Sequence, residues 1–408
     1  MNNTADSEVI SILNNDPDSS RDVASGLRVM CLIPSIPLGG MERAASRVVE
    51  KLMMYGADAH FVAEQRWGKE VQKHIQSIGG QWTGIPFVAK LGLPQTLLEW
   101  RWAIRSFART SRDIESVFKN YQPRQLLATN LNNAYFSRNL ARVENVRSIF
   151  RVPNPPGVSA LPVKSVIDKK VWQSVYQSFD VLVCNSEYTA GRVADVVGSH
   201  NHICVIKNYL PSLTRNQKKS EMLLSKDKTN IVYLGQISRS KGVEILIDAM
   251  VDIIEKRDDV DLILAGPDVW KDIFGSEIRE HVDSIGLTSR IRFLGNVENV
   301  NALLAQADIH VCPSLSKGES FPNVVLDAKQ AGLPSVVFPM AGLPEAVNDG
   351  ADGIITEACT REALSTALLR LLENHDLCSK LARGASDSLT AYQDEKIMAD
   401  WVSAFTAE

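Results

Sequence analysis

The sequence predicts an α/β protein built from two doubly wound parallel-sheet domains, and three observations carry that expectation. Short continuous apolar runs recur along the chain, as strands buried on both faces require. Stretches with helical periodicity separate them, and strand alternating with helix implies parallel sheets joined by right-handed crossovers. The rhythm also breaks once, at the polar, Lys-rich segment SLTRNQKKSEMLLSKDKT (212–229), and restarts at Asn230. A chain of 408 residues is too long for one compact core and suits two domains of ordinary size.

The elements follow in order. Residues 1–26, MNNTADSEVISILNNDPDSSRDVASG, are rich in Asn, Asp and Ser. They lack a basic region leading into an apolar core, so they are expected to be a flexible leader rather than a secretory signal. The first domain is expected over 27–211. LRVMCLIPS (27–35) is its first strand, PLGG its first turn, and MERAASRVVEKLMMYG a helix closed by Gly56. DAHFVAE, RQLLATN, VRSIFRVP, DVLVCNS and HICVIKN continue the strand series. The second domain is expected over 230–390, with strands at NIVYLG, DLILAG, IRFLG, DIHVCPS, PSVVF and DGIIT. Its helices are expected from Val243 to Lys256, through Ile278 to Ile285, from Val300 to Gln306 and from Glu319 to Gly332. Helical segments run from Arg361 to Phe405, and the last of them, within 391–408, is free to pack back on the first domain.

Composition narrows the function classes. Hydrophobic residues make up 45% and charged residues 23%, with a net charge of -4. That balance exerts no global pull toward nucleic acid, and no nucleic-acid partner is expected. No run of about 18 apolar residues offers a membrane span. Six scattered cysteines without a C-x-x-C pair read as reduced, buried thiols of a cytoplasmic protein. No metal site is expected, since no Cys/His spacing supports one.

Three stretches carry chemistry. Open parallel sheets bind ligands at the carboxyl ends of their strands, where helix N-termini offer unpaired N–H groups. Gly39 and Gly40 lie between the first strand and its helix, where a phosphate could approach; a plain connecting loop reads equally. In YLGQISRSKGVEILIDAM (233–250), Gly235 ends a strand and Arg239 and Lys241 precede a helix, a candidate diphosphate clamp or a solvated basic loop. In KGESFPNVVLDAKQAGLPS (317–335), a helix beginning at Glu319 would put Glu319 and Asp327 about two turns, or about 12 Å, apart on one side. That separation suits an elongated ligand better than a catalytic dyad. One carboxylate would hold a sugar and the other a ribose, with the backbone of Ser320, Phe321, Pro322, Asn323 and Val324 facing a diphosphate through its N–H groups, proline's excepted; the plainer alternative is a helix-start Glu and a surface Asp.

Taken together these stretches resemble the retaining glycosyltransferases of family 4, which have the GT-B fold. The matching text includes PLGGMERAASRVVEKL, DVLVCNSEYT, VIKNYLP, YLGQISRSKGVEILIDAM, LILAGP and the long run IRFLGNVENVNALLAQADIHVCPSLSKGESFPNVVLDAKQAGLPSVVFPMAGLPEAVNDGADGIIT. It spans about residues 27–390, tightly in the second half and loosely in the first. The resemblance implies two Rossmann-like domains facing a central cleft, the first (27–211) binding the acceptor and the second (230–390) the nucleotide sugar, with a nucleotide-diphosphate sugar as donor, UDP or GDP foremost, and no cofactor or metal. It implies that Glu319 holds the donor sugar and Asp327 the ribose, that Gly39 and Gly40 face the phosphates, that Lys241 binds phosphate, and that Pro344 and Glu345 lie near the donor. Gly235 and Gln236 fall in the donor site.

Three departures stand out. Gln236 replaces the family's usual Arg, leaving Arg239 as the substitute cation. Asp327 replaces a Glu. SIFRVPNPPGV (148–158) lacks the His that many members carry, leaving Arg151 and Asn154 as the polar groups there; Asn154 is a candidate catalytic residue or a turn residue. The implied reaction retains the anomeric configuration, and the implied acceptor is a glycan or lipid-linked molecule of surface polysaccharide or glycolipid assembly. A catalytically weak nucleotide-sugar-binding module and a nucleotide-sugar epimerase or hydrolase remain alternatives.

For the acceptor, the residues say less. Arg101, Arg105, Arg109 and Arg112 share one face of the helix expected over 97–120, beside Trp100, Ile104 and Phe107. Residues 85–155 hold 11 Lys and Arg against 4 Asp and Glu. Such a helix could rest on an anionic membrane at the cytoplasmic face, or be a surface helix with a core-facing stripe.

Overall fold

The computed structural model describes residues 24–33, 40–65, 69–86, 97–157, 162–198, 202–208, 224–269, 272–392 and 394–406. Some helical positions, including 40–44, 97–107 and 162–168, are described for their backbone alone. The chain divides into two compact units, Met1–Pro211 with Gln393–Glu408, and Ser212–Tyr392.

In the first unit the order is β1 (Arg28–Leu32), α1 (Gly40–Met54), β2 (Asp58–Glu64), α2 (Lys69–Ser77), β3 (Gln81–Ile85), α3 (Leu97–Tyr121), β4 (Gln125–Ala128), α4 (Leu131–Ser137), β5 (Arg147–Val152), α5 (Pro162–Tyr176), β6 (Val181–Cys184), α6 (Glu187–Val197) and β7 (His202–Val205). The strands form one sheet in the order β3-β2-β1-β4-β5-β6-β7, and every pairing is parallel. Its central strands are buried throughout, as in QLLA of β4 and VLVC of β6, which is why they stood out as apolar runs. The strand β3 was not among the expected strands. It lies at the sheet edge, and QWTGI is only partly buried, so it lacks a continuous apolar signature.

The second unit contains β8 (Thr229–Leu234), α7 (Val243–Ile254), β9 (Val260–Ala265), α8 (Phe274–Ser284), β10 (Ile291–Gly295), α9 (Val300–Leu304), β11 (Ile309–Cys312), α10 (Asn323–Gln330), β12 (Ser335–Val337), β13 (Gly353–Ile355), α11 (Arg361–Glu373) and α12 (His375–Asp387). Its sheet runs β10-β9-β8-β11-β12-β13, again wholly parallel. The last helix, α13 (Asp394–Thr406), belongs to the first unit, where Met398, Trp401 and Phe405 are buried and Arg147 donates to the carbonyl of Ala404 at 3.4 Å.

In both sheets the strand order reverses beside the first strand of the unit, between β1 and β4 and between β8 and β11. Connections leaving neighbouring strands to opposite sides open a crevice at their carboxyl ends, the place where such sheets bind ligands.

The second core carries one group with a measurable pH signature. His310, in the middle of β11, is fully buried, and its Nδ1 lies 3.0 Å from the Ser335 hydroxyl on β12. Burial lowers its pKa to about 3, against about 6.5 in an unfolded chain. Between those values the unfolded state binds a proton that the native state refuses. This contribution is therefore complete above pH 6.5 and is lost as pH falls toward 3. His310→Gln is expected to lose less stability than the parent between pH 7 and pH 5, by up to about 2 kcal/mol. Urea melts of both proteins at the two pH values check this, and equal losses would refute it.

Candidate functional site

The loop after β8 is fixed by its glycine and its neighbours. A single 3-10 turn, Arg239–Lys241, leads into Gly242, whose φ of +72° sets the entry to α7. A Cβ at Gly242 would lie 1.9 Å from the carbonyl oxygen of Pro313, so both the backbone angle and the space call for glycine. Leu315 donates its backbone N–H to the carbonyl of Ser240 at 2.9 Å. The loop after β8 is thereby stitched to the loop after β11. Downstream, α7 is anchored by the buried side chains of Val243, Leu246, Ile247, Met250 and Ile253.

The loop after β11 delivers Glu319. The backbone N–H of Gly318 binds the Ser316 hydroxyl at 3.1 Å, and that of Glu319 binds the Ser316 carbonyl at 3.1 Å. The Glu319 carbonyl accepts from Gly342 N–H at 3.1 Å. A Cβ at Gly342 would stand 1.5 Å from the Ser320 carbonyl, so the AGLPE loop rests directly on the backbone beside Glu319. The Glu319 carboxylate accepts a hydrogen bond from Ser314 Oγ at 3.0 Å and forms an ion pair with Lys241 Nζ. The side chains are 16% and 31% exposed, so a ligand can still reach the pair.

Beneath the pair lie two groups that burial makes inert. The Cys312 thiol is pushed up to about 12, chiefly by burial and then by the Glu319 charge, with Lys241 opposing. Tyr233 is held well above its ordinary value, again mainly by burial, and its hydroxyl donates to the Gln236 carbonyl at 2.7 Å. Neither is a nucleophile at neutral pH. The arrangement offers a fixed ammonium, a fixed carboxylate and a hydroxyl at the reversal point between β8 and β11.

One expectation is corrected. The helix after Glu319 does not begin there: α10 starts at Asn323, with Pro322 at its cap in an extended conformation (φ -80°, ψ 104°). Proline disfavours helical geometry in the residue before it, so Ser320 and Phe321 cannot continue a helix into Pro322. Glu319 therefore sits in the preceding loop, and a two-turn spacing from Asp327 along one helix does not exist. Asp327 is half-buried within α10. Ser320 and Phe321 are buried, and Phe321 packs on Tyr392 with ring centroids 6.0 Å apart. Val324 packs against the hydrophobic core, leaving Asn323 and Asp327 as the half-buried polar positions of this segment.

The remaining expected residues are scattered over several environments. Arg239 is exposed, held by Glu277 at 3.1 Å and Glu244 at 3.5 Å, and stacked over Phe274 at 4.7 Å. Gln236 is exposed and Gly235 half-buried just after β8. Gly40 is the first residue of α1, and Gly39 lies outside the described residues. Pro344 and Glu345 belong to the 3-10 turn Leu343–Ala346. In the first unit Arg151 is buried and donates to Asn208 Oδ1 at 2.9 Å, whereas Asn154 is exposed after β5. On α3, the side chains of Trp100, Arg101, Ile104, Arg105 and Phe107 lie outside the description. In its described half, Arg109 pairs with Asp113 at 3.8 Å and Arg112 is exposed, while Ile114 and Phe118 face the core.

Ser314 and Gly342 were not singled out from sequence. Ser314 lies two residues past the end of β11, which is the signal that could have marked it. Among the described residues no three His, Cys, Asp or Glu side chains gather as a metal site, and no helix is long and apolar enough to cross a membrane.

Residues 228–374 match the family described as glycosyl transferases group 1. Phosphatidyl-myo-inositol mannosyltransferase of Mycobacterium leprae is 30% identical over 165 residues, covering 40% of this chain and 42% of that protein. A GDP-mannose-dependent monoacylated alpha-(1-6)-phosphatidylinositol monomannoside mannosyltransferase of Corynebacterium glutamicum is 28% identical over 245 residues, 56% of this chain and 61% of that one. The chain thus spans about half the length of the curated relatives it matches. HepE of Anabaena, solved in complex with UDP and glucose, superposes with a TM-score of 0.73 at 16% identity, over 92% of this chain and 98% of its own. Residues 228–374 resemble the glycosyl transferases group 1 family, and the chain as a whole has the GT-B fold.

Proposed function

We propose that the protein is a retaining glycosyltransferase that moves a hexose from a nucleoside-diphosphate sugar to a glycan or lipid-linked acceptor. The observation that carries this reading is the Lys241–Glu319 pair, braced by Ser314 at the reversal point of the second sheet. Departure of the nucleotide builds negative charge on the diphosphate and positive charge on the sugar. An ammonium fixed beside the leaving group stabilises the first, and a carboxylate facing the sugar hydroxyls orients and stabilises the second. In this reading Lys241 supplies the cation at the leaving group without a metal ion, Asp327 faces the ribose, and the backbone from Ser320 to Val324 lies along the donor. Arg239, already bound to two carboxylates, would have to leave Glu277 and Glu244 to act as a second cation.

The relatives support the class of substrate. Two are mannosyltransferases of phosphatidylinositol derivatives, one of them GDP-mannose-dependent, and HepE was captured with UDP and glucose. A lipid-linked or polysaccharide acceptor fits that company. A cytoplasmic location belongs to the same proposal, supported by the free, buried Cys31, Cys184 and Cys312.

The first experiment is thermal-shift binding with UDP-, GDP-, ADP- and dTDP-sugars, each beside its free nucleotide. A ligand binding only the native state raises the melting temperature by mass action. A selective shift with one donor, followed by NMR of the anomeric proton in the product, would establish donor and stereochemistry. An inverted product would overturn the retaining reading. Lys241→Ala is expected to weaken donor binding by about 10–100-fold, the loss of one hydrogen-bonded charge contact, and to lower transfer as well. Calorimetric titration of the variant checks the first and steady-state rates the second. Unchanged affinity would remove Lys241 from the donor site.

A further inference from the structure

The first unit holds a cavity of about 210 Å³ at the carboxyl ends of β4 and β5, the pair of strands next to its own reversal point. Three asparagines, Asn130, Asn132 and Asn154, line it together with Trp172, Phe150 and Pro153. None of its lining residues is Asp, Glu, Lys, Arg or His. We propose that this cavity binds a single uncharged, polyhydroxylated ring, a pyranose or a cyclitol. Resting on the glycosyltransferase reading above, that ring is the acceptor's terminal residue.

Each part of the lining argues for that ligand class. An amide side chain both donates and accepts, so three of them match vicinal hydroxyls, which also do both. Asn130 spends its carbonyl oxygen on the N–H of Asn133 at 2.8 Å, capping α4. Its NH₂ group therefore remains the donating end, and the first turn of α4 already has an acceptor. No cation lines the space, so nothing in it compensates a phosphate or carboxylate.

Trp172 supplies the apolar wall. Its Nε1 donates to the Gly157 carbonyl at 3.1 Å, which ties the indole to the segment carrying Asn154. Its ring lies 5.3 Å from Tyr176, which in turn stacks on Phe150 at 5.6 Å. With its N–H committed and its ring braced, Trp172 offers the cavity a fixed aromatic surface. The electron-rich face of such a ring attracts the C–H edge of a sugar. Size limits the ligand further. Pockets that enclose drug-sized molecules measure about 300–1,000 Å³, so the pocket itself takes up about one ring, and anything longer would extend from its open mouth.

The test uses the full-length chain and ligand-detected NMR with methyl α-D-mannopyranoside and myo-inositol as neutral probes, and mannose 6-phosphate and glucuronate as charged ones. Each is measured with and without saturating nucleotide-sugar, whose own binding is followed by thermal shift in the same samples. At least one neutral probe is expected to bind more tightly than the charged ones, with an affinity flat between pH 5.5 and 8.5. Asn132→Leu and Trp172→Leu are each expected to weaken it at least tenfold while the donor shift is kept. Circular dichroism identifies a variant that has failed to fold, and Asn132→Gln, which restores the amide, is expected to recover part of the affinity. Preference for a charged probe, failure of both neutral probes, or full affinity in Asn132→Leu would overturn the cavity assignment. Neutral-ring binding without any donor shift would instead leave the cavity standing and defeat the glycosyltransferase reading.

Discussion

Replacing Glu319 with Gln is expected to lower the transfer rate by about 10²–10³-fold, the scale seen when one preorganised electrostatic partner is lost from an active site, while nucleotide affinity is kept. The substitution conserves shape. The amide oxygen can still accept from Ser314 Oγ and from Lys241, the two groups that now bind the carboxylate, so the loop after β11 has reason to stay in place. What disappears is the negative charge. The ground-state grip on the diphosphate comes from Lys241, which is freed from its counter-ion, so binding should hold or tighten. The charge that opposes an electron-poor sugar exists only in the parent protein. A loss confined to kcat with donor Kd unchanged is the signature of an interaction made in the transition state. Full transfer activity in Glu319→Gln would sink the site assignment.

The outline of the fold was legible because parallel strands covered on both faces cannot hide their composition. The four residues of β6 and the six of β9 are all buried, and both segments announce themselves as VLVC and DLILA. Edge strands escape that rule, and β3 escaped with them. Helix starts were less legible. The periodicity around Glu319 fits a helix, but Pro322 moves the start to Asn323, and the local restraint of one proline outweighs a pattern of apolar spacing.

The site divides in the same way. Lys241 and Glu319 could be singled out because charged residues beside glycine follow strand ends there, and the structure brings them into contact across a sequence separation of 78 residues. The roles of Ser314 and Gly342 depend on what stands opposite them in space, a carboxylate in one case and the Ser320 carbonyl in the other. Nothing in PMAGLPE foretells that its glycine is needed for close approach to a distant backbone. Asn130 and Asn132 were passed over because they sit at the end of RQLLATN and just beyond it, where the apolar run drew attention to the strand and away from its polar tail.

The least legible feature is also the one with the largest expected effect on stability. Lys329, near the end of α10, looks like an ordinary helix lysine, yet it and Asp352 are each 1% exposed and form an ion pair at 2.7 Å. Asp352 also accepts the backbone N–H of Asn348 at 2.8 Å and its side-chain amide at 2.8 Å. Lys329 donates further to the Ser388 hydroxyl at 3.1 Å and lies over Tyr392 at 5.8 Å. The pair thus ties α10, which follows Glu319, to the turn before β13 and to the segment after α12. Removing one partner of a buried pair leaves the other charge uncompensated and typically costs about 3–5 kcal/mol. The two truncations should differ. In Lys329→Met the carboxylate keeps both hydrogen bonds from Asn348, whereas in Asp352→Ala the ammonium loses its counter-ion in a buried setting. Asp352→Ala is therefore expected to lie at the upper end of that range, a drop in Tm of roughly 10–20 °C for the transition of a unit this size. Lys329→Met should be the milder change. Combining them, Lys329→Met with Asp352→Ala, should recover part of the loss, because no buried charge is then left without its partner. Calorimetric melts of the three variants decide the matter. Equal, small losses would mean that the pair contributes geometry but little free energy, and additive losses in the double variant would mean that the two charges do not depend on each other.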